Sequence, residues 1–100
     1  MRMKVLRKPR SFEWDDGNRG KNFQKHKVTD EECEEVFSDP FKLVFADRKH
    51  SEQERRFVLI GSTKRYRHLF VIFTIRDQRI RVVSARDLKR KEYRFYKEQR

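Results

Sequence analysis

Four short runs rich in valine, isoleucine and phenylalanine constrain the fold of this chain more than any other feature. Such runs are typical of β-strands, and they lie at Lys42–Ala46, Arg56–Ile60, Leu69–Ile75 and Arg79–Val83. The connections between them are shorter than the dozen residues that a parallel crossover needs. The sequence therefore predicts an antiparallel meander. Leu69–Ile75 is the longest apolar run, so we expect it to be the central strand, covered on both faces.

Helix signals precede these runs. Thr29 and Glu32 have the spacing of a capping box, which predicts a helix that ends before Pro40. An earlier helix is predicted over about residues 18–26. Before it, residues 11–15 alternate aromatic and polar side chains, as a short half-buried strand does.

A helix signal also follows the last run. Ser84 and Asp87 have the capping spacing, which predicts a final helix to about Gln99 with Leu88 and Phe95 on one face. The fold class is therefore α+β. We expect a small antiparallel sheet of about four to five strands, flanked by two N-terminal helices and one C-terminal helix.

The charge of the chain points to a polyanionic partner. Its 27 Lys and Arg residues outnumber its 16 Asp and Glu residues, which gives a net charge of +11. The balance is +6 over residues 1–28, −6 over residues 29–47 and +11 over residues 48–100. Nucleic acid is the commonest polyanion that binds such a domain. A chain of 100 residues has room for one domain, which we place at residues 11–100 after a basic arm at residues 1–10.

The sequence argues against a transmembrane protein, a secreted disulfide-rich protein and a protein with a nucleotide or metal site. The longest apolar run is far below the roughly 20 residues of a membrane span, and the basic start lacks the apolar region of a signal peptide. One cysteine, Cys33, makes no internal disulfide and suits a reducing cytoplasm. Its neighbouring glutamates oppose thiolate formation, so we expect a structural role. Without a glycine-rich phosphate loop or histidines at metal-ligand spacing, we expect no cofactor.

Cleavage of RNA is the chemistry that remains. RNA carries its own nucleophile, the 2′-OH, so an enzyme needs only to orient that hydroxyl, move two protons and stabilise the phosphorane charge. Lys, Arg, His, Glu and Tyr supply these functions. The candidates at the ends of predicted elements are Lys25, His26, Glu54, Arg56, Arg65, Arg67, Arg81, Arg86, Tyr93 and Tyr96. Helix caps, ion pairs, solvated charges and core aromatics explain the same residues equally well.

An ordered set of motifs resembles one family. The motifs are Phe12–Asp15, Asn22–His26, Val36–Pro40, Asp47 with His50 and Ser51, Glu54–Phe57, Ile60–Thr63, Phe73–Arg76 and Arg81–Arg86. Their order and spacing over about residues 11–96 resemble the BrnT family, small ribonuclease toxins of bacterial type II toxin–antitoxin modules. The resemblance implies a fold similar to the RelE-like toxins.

The resemblance also implies partners and roles. It implies a BrnA-type antitoxin with a ribbon-helix-helix segment, in a 2:2 heterotetramer that binds operator DNA through the antitoxin. The implied toxin cleaves RNA without a metal and inhibits translation. The implied catalytic residues are Lys25, His26, Glu54, Arg56, Arg67 and Arg86. From residue type and position alone, we add Arg65, Arg81, Tyr93 and Tyr96 as candidate RNA-binding residues.

The chain departs from the family pattern at two glycines. Lys27 follows Lys25 and His26, and Tyr66 precedes Arg67, where the family usually has glycine; a glycine after His26 suits a left-handed helix cap. Two alternatives to a ribonuclease remain open at this stage. One is a non-catalytic RNA- or DNA-binding module, and the other is a structural subunit of a DNA-binding repressor complex.

Overall fold

The elements of the fold are those of an α+β domain. A computed structural model describes residues 11–50 and 53–99; the expected basic arm at residues 1–10 and Ser51 lie outside the described residues. The helices and strands, in chain order, are α1 (Lys21–His26), α2 (Asp30–Glu35), β1 (Leu43–Asp47), β2 (Arg56–Ser62), β3 (His68–Arg76), β4 (Arg79–Asp87) and α3 (Arg90–Glu98). No helix in the described ranges has the length and apolar character to cross a bilayer. The predicted α+β class is confirmed.

The four strands form one antiparallel sheet in the order β1-β2-β3-β4, which confirms the predicted meander. Asp77 and Gln78 make the turn between β3 and β4, with φ values of 49° and 64°. Two positive φ values in a two-residue turn match the right-handed twist of the strands that it joins.

The strand predicted at residues 11–15 is wrong. Its place is taken by a single parallel bridge between Phe12 and Ile80 on the edge of β4. The Glu13 N–H donates to the Ile80 carbonyl (2.7 Å), and the Ile80 N–H donates to the Ser11 carbonyl (2.9 Å). The chain then turns away from the sheet, because the Asp15 carbonyl accepts the N–H groups of residues 18 and 19.

The predicted capping box of Ser84 and Asp87 is also wrong. Residues 84–87 continue β4 and pair with residues 69–72 of β3, because β3 is nine residues long and offers them partners. The helix begins later, with Lys89 as its N-cap. The Glu92 carboxylate accepts the Lys89 N–H at 2.8 Å, which satisfies one of the backbone donors at the start of α3.

Two hydrophobic clusters lie on the two faces of the sheet. The larger one contains Val28, Cys33, Val36, Phe37, Val44, Phe57, Leu59, Leu69, Val71, Phe73, Ile80, Val82 and Ala85. The smaller one, under α3, is built on Leu43, Ile60 and Tyr96. On that face Phe70 and Ile72 of β3 are only half-buried, because α3 has nine residues and covers part of the sheet. The expectation that the central strand is covered on both faces is therefore only partly met.

Tyr96 anchors α3 to the sheet. Its side chain is buried, and its O–H donates to Asp39 Oδ2 at 2.7 Å. The prediction that Leu88 and Phe95 share a helix face is wrong because Leu88 precedes the helix, although Leu88 packs against the smaller cluster and the Phe95 ring lies 6.0 Å from that of Phe45. The later start of α3 shifts which side chains face the sheet.

The capping box predicted at Thr29 is present. The Glu32 N–H donates to Thr29 Oγ1 (3.0 Å), and the Thr29 N–H donates to Glu32 Oε1 (2.9 Å). The chain continues from α2 into a 3-10 turn over Val36–Ser38 and so ends its helical course before Pro40, as predicted. Cys33 is fully buried, and burial first, then nearby carboxylates, raises the pKa of its thiol to about 12. A buried, protonated thiol serves as a core side chain, which agrees with the structural role expected of Cys33.

Lys27 ends α1 in the left-handed conformation, with φ 58° and ψ 32°. This conformation costs about 1–2 kcal/mol for residues with a Cβ, and glycine avoids most of that cost. We expect Lys27→Gly to raise the free energy of unfolding by about 0.5–1 kcal/mol. Gln24→Gly, at an exposed position inside the same helix, is the matched control and should lower it by about 1 kcal/mol. Urea unfolding of both variants measures the effect, and a Lys27→Gly variant no more stable than wild type contradicts it.

Candidate active site

The end of α1, the turn between β2 and β3, and the end of β4 meet at one end of the sheet, and Arg67 joins them. Its Nε and Nη2 donate to the two carboxylate oxygens of Asp87 (2.7 and 3.1 Å). Its Nη1 donates to the Lys27 carbonyl (2.7 Å) and to Glu32 Oε1 (3.1 Å), and Nη2 also donates to the His26 carbonyl (3.2 Å). A guanidinium has five N–H donors, and here all five have acceptors. We call these five residues the Arg67 cluster.

The charges of the Arg67 cluster influence one another. Arg67 holds the pKa of Asp87 below its ordinary value of 3.8, and a smaller part of that lowering comes from His26. The hydrogen bond with Asp87 raises the pKa of Arg67 in turn. Lys25 and His26 are both exposed. This end of α1 thus presents an imidazole and an ammonium to solvent, and the imidazole lies within electrostatic range of Asp87.

Arg86 lies at the same end of the sheet, where β4 meets α3. Its Nη1 and Nη2 donate to the two carboxylate oxygens of Glu92 (2.8 and 2.9 Å), and Nη1 also donates to the Asp87 carbonyl (3.0 Å). Its guanidinium carbon is 4.1 Å from the centre of the Phe70 ring, which is a cation–π distance. Arg86 holds the pKa of Glu92 below its ordinary value. Its side chain is 27% exposed, so part of it faces solvent.

Glu54 and Arg56 lie at the opposite end of the sheet. Glu54 accepts two hydrogen bonds from Arg76 (2.6 and 2.9 Å) at the end of β3, and Arg56 begins β2 opposite Asp47. The nine residues of β3, at about 3.3 Å each, separate the two ends by roughly 25 Å. The structure therefore does not bring Glu54 and Arg56 together with His26, and their catalytic role stays a prediction. The hydrogen bond with Arg76 lowers the pKa of Glu54, as expected of an ion pair.

Arg81 also lies away from the Arg67 cluster. It donates to Glu13 Oε1 (2.9 Å) and to Asp15 Oδ2 (2.8 Å), and its side chain is only 14% exposed. The hydrogen bond from Arg81 lowers the pKa of Asp15. Arg81 therefore fastens the segment before α1 to β4, whereas Arg65 is exposed in the turn between β2 and β3.

The two tyrosines of α3 differ in exposure. Tyr93 is 39% exposed, with its ring edge-on to His68 at 4.8 Å between centroids. Tyr96 is 2% exposed, and its O–H is bonded to Asp39. The Tyr96 ring is the anchor of α3, and the RNA-binding roles expected of Tyr93 and Tyr96 stay predictions.

Sequence reasoning missed Asp87 and Arg76 as the partners of Arg67 and Glu54. The local sequence pattern places Asp87 in a helix cap, and Arg76 belongs only to a family motif. The register of the antiparallel strands would identify the Asp87–Arg67 pair. Asp87 lies opposite Leu69, two residues after Arg67, so the two side chains approach one another at the end of the sheet.

The Arg67 cluster can perform acid–base chemistry. The exposed imidazole of His26 can accept a proton, and the ammonium of the preceding residue, Lys25, can stabilise a developing phosphorane. Among residues 11–50 and 53–99, no three or more His, Cys, Asp and Glu side chains form a group that could hold a metal ion.

The family comparison covers this whole region. The family model described as "Ribonuclease toxin, BrnT, of type II toxin-antitoxin system" matches residues 14–92. The chain belongs to the BrnT family. Its resemblance to that family is thereby confirmed, and a type II toxin of this family acts as a ribonuclease and has an antitoxin partner. A search of the curated proteins finds no match.

The two departures of this BrnT chain from the family glycines share one backbone property. Lys27 has φ 58° and Tyr66 has φ 67°, so both residues keep the left-handed conformation that suits glycine. Both turns beside Arg67 therefore contain a left-handed residue that is not glycine.

Proposed function

We propose that this BrnT protein cleaves RNA without a metal ion, at the C-terminal end of α1. The observation that carries the proposal is that Arg67 holds this helix end by two backbone carbonyls while His26 and Lys25 face solvent. A fixed backbone beneath two exposed functional side chains is what positioning of a phosphodiester requires.

The proposed reaction uses the 2′-OH of the substrate as the nucleophile. His26 accepts the proton of that hydroxyl, and the 2′-oxygen bonds to the adjacent phosphorus. Lys25 stabilises the extra negative charge of the phosphorane. The bond from phosphorus to the 5′-oxygen then breaks, and the 5′-oxygen takes a proton from Lys25 or from water. The products are a 2′,3′-cyclic phosphate and a 5′-OH. Arg67 acts as a positioning residue, and Arg86 and Arg65 bind flanking phosphates.

The same proposal includes the biological setting. We infer a bacterial, cytoplasmic toxin that inhibits translation and resembles the RelE-like toxins in fold, with residues 11–100 as its single domain. Its partner is a BrnA-type ribbon-helix-helix antitoxin in a 2:2 complex that binds operator DNA. The support is the match to a type II family and the net charge of +11, which an acidic or RNA-mimicking partner surface would complement.

Incubation of the purified chain with RNA, with and without EDTA, tests this proposal. We expect the same rate of cleavage in both conditions and complete inhibition by the antitoxin. Cleavage that EDTA abolishes contradicts the metal-independent reaction. Salt-sensitive retention of RNA without cleavage identifies a non-catalytic binding module instead. If the chain neither cleaves nor retains RNA, it is a structural subunit of the repressor complex.

A further inference from the structure

A cleft of about 330 Å³ opens beside the turn between β2 and β3. Its volume is at the lower end of the range for small-molecule sites. Its walls include the aromatic side chains of Phe41, Tyr66 and His68 and the polar side chains of Ser62 and Lys64. Aromatic walls with a few polar groups are typical of sites that hold a flat, partly polar ring.

The floor of the cleft is fixed by Asp39, which is 8% exposed. Its carboxylate accepts the Tyr96 O–H (2.7 Å), the Ser62 N–H (2.8 Å) and the Phe41 N–H (2.9 Å). These bonds join α3, the end of β2 and the loop before β1. The cleft is therefore formed before any ligand arrives, so that little ordering accompanies binding.

Tyr66, on the rim, combines two unfavourable properties. Its backbone has φ 67°, a conformation that is strained for a residue with a Cβ, and its side chain is 81% exposed. Packing within the chain therefore offsets little of the strain. Strained backbone conformations cluster at ligand-binding and active sites, which makes Tyr66 a candidate contact for a ligand.

We propose that this cleft holds one nucleobase of the RNA substrate, stacked on the ring of Tyr66; this rests on RNA being the substrate in the proposed function. Lys64 and Arg65 lie on the same turn and provide charge for the adjoining phosphates. Arg67, the residue after Tyr66, reaches the carbonyl of His26 at 3.2 Å. The base subsite and the cleavage site thus share one turn, so one strand of RNA spans both.

Binding of a fluorescent 2′-O-methyl RNA tests the base subsite, because such an RNA lacks the nucleophile and is read without cleavage. The strand has about eight nucleotides, a length within the range of known single-strand sites. We expect Tyr66→Ala to weaken binding about tenfold, as loss of one stacked base does. Tyr66→Phe keeps the ring and should bind as wild type does. Tyr66→Gly should raise the midpoint of urea unfolding yet weaken RNA binding, and these opposite signs exclude a folding defect.

Unchanged RNA affinity in Tyr66→Ala and Tyr66→Gly overturns the base subsite. Loss of antitoxin binding with unchanged RNA affinity assigns the cleft to a protein segment and overturns it as well. If wild type and Tyr66→Ala cleave RNA equally well, the subsite alone is refuted and the proposed reaction stands. If Tyr66→Ala binds RNA more weakly than wild type but wild type cleaves none, the proposed reaction is refuted and the subsite is supported. Absence of any RNA binding by wild type overturns both.

Discussion

Replacement of His26 by alanine is expected to lower the single-turnover rate of RNA cleavage in EDTA by 100-fold or more, because a positioned general base contributes about 10²–10⁴-fold to such a rate. His26 is exposed, and only its backbone carbonyl bonds to Arg67. The substitution should therefore change the free energy of unfolding by no more than about 0.5 kcal/mol. A large loss of rate in a protein of unchanged stability identifies the imidazole as a catalytic group.

A neighbouring position on the same helix provides the control for His26→Ala. Gln24 is also exposed on α1 and has no part in the proposed reaction, so Gln24→Ala should cleave RNA at nearly the wild-type rate. If His26→Ala retains the wild-type rate, the reaction takes place elsewhere on the molecule.

Replacement of Arg67 by methionine should have the largest effect on stability. The change removes the hydrogen bonds to Glu32 and Asp87 and to two backbone carbonyls at the C-terminal end of α1. Hydrogen bonds to charged groups contribute about 1.5–3 kcal/mol each when buried. The Arg67 side chain is 28% exposed, so we expect a total loss of only about 2 kcal/mol. Arg67→Lys should recover little of it, since a lysine does not reach four separate groups with one ammonium.

The stabilising effect of Arg67 should depend on pH through Asp87. The pKa of Asp87 is lower in the folded protein than its ordinary value of 3.8. Such a carboxyl stabilises the fold above its unfolded pKa, and this contribution disappears as the pH falls through the folded pKa. The difference in unfolding free energy between wild type and Arg67→Met should therefore be largest near neutral pH and shrink below about pH 4. Urea unfolding at several pH values measures it; a difference that stays constant into acid excludes Asp87 as the partner that matters.

The strands and the second helix could be predicted from the sequence because their signals are local. Runs of β-branched and aromatic residues mark the strands, and both halves of the Thr29 capping box lie within four residues. Ser84–Asp87 could not be settled in this way. That segment satisfies the local pattern of a helix start, and only its pairing with β3 makes it a strand. One sequence does not show whether a segment such as Ser84–Asp87 starts a helix or pairs with a neighbouring strand.

The candidate site was predictable only in part, for a similar reason. Lys25 and His26 are adjacent in the chain, so the sequence shows them together. The separation of Glu54 from His26 depends on which end of each strand a residue occupies, and the sheet register decides that. The role of Arg67 depends on acceptors from three distant segments. The left-handed conformations of Lys27 and Tyr66 could not be predicted either, because neither residue is a glycine.

The chemical nature of the RNA ends tests the proposed reaction most directly. Purified protein is incubated with a short RNA in EDTA, and the masses of the fragments are determined. We predict a 2′,3′-cyclic phosphate on the upstream fragment, a 5′-OH on the downstream fragment, and no cleavage of the same sequence when every 2′-OH is methylated. A 3′-OH paired with a 5′-phosphate, or cleavage of the methylated strand, would contradict attack by the 2′-OH.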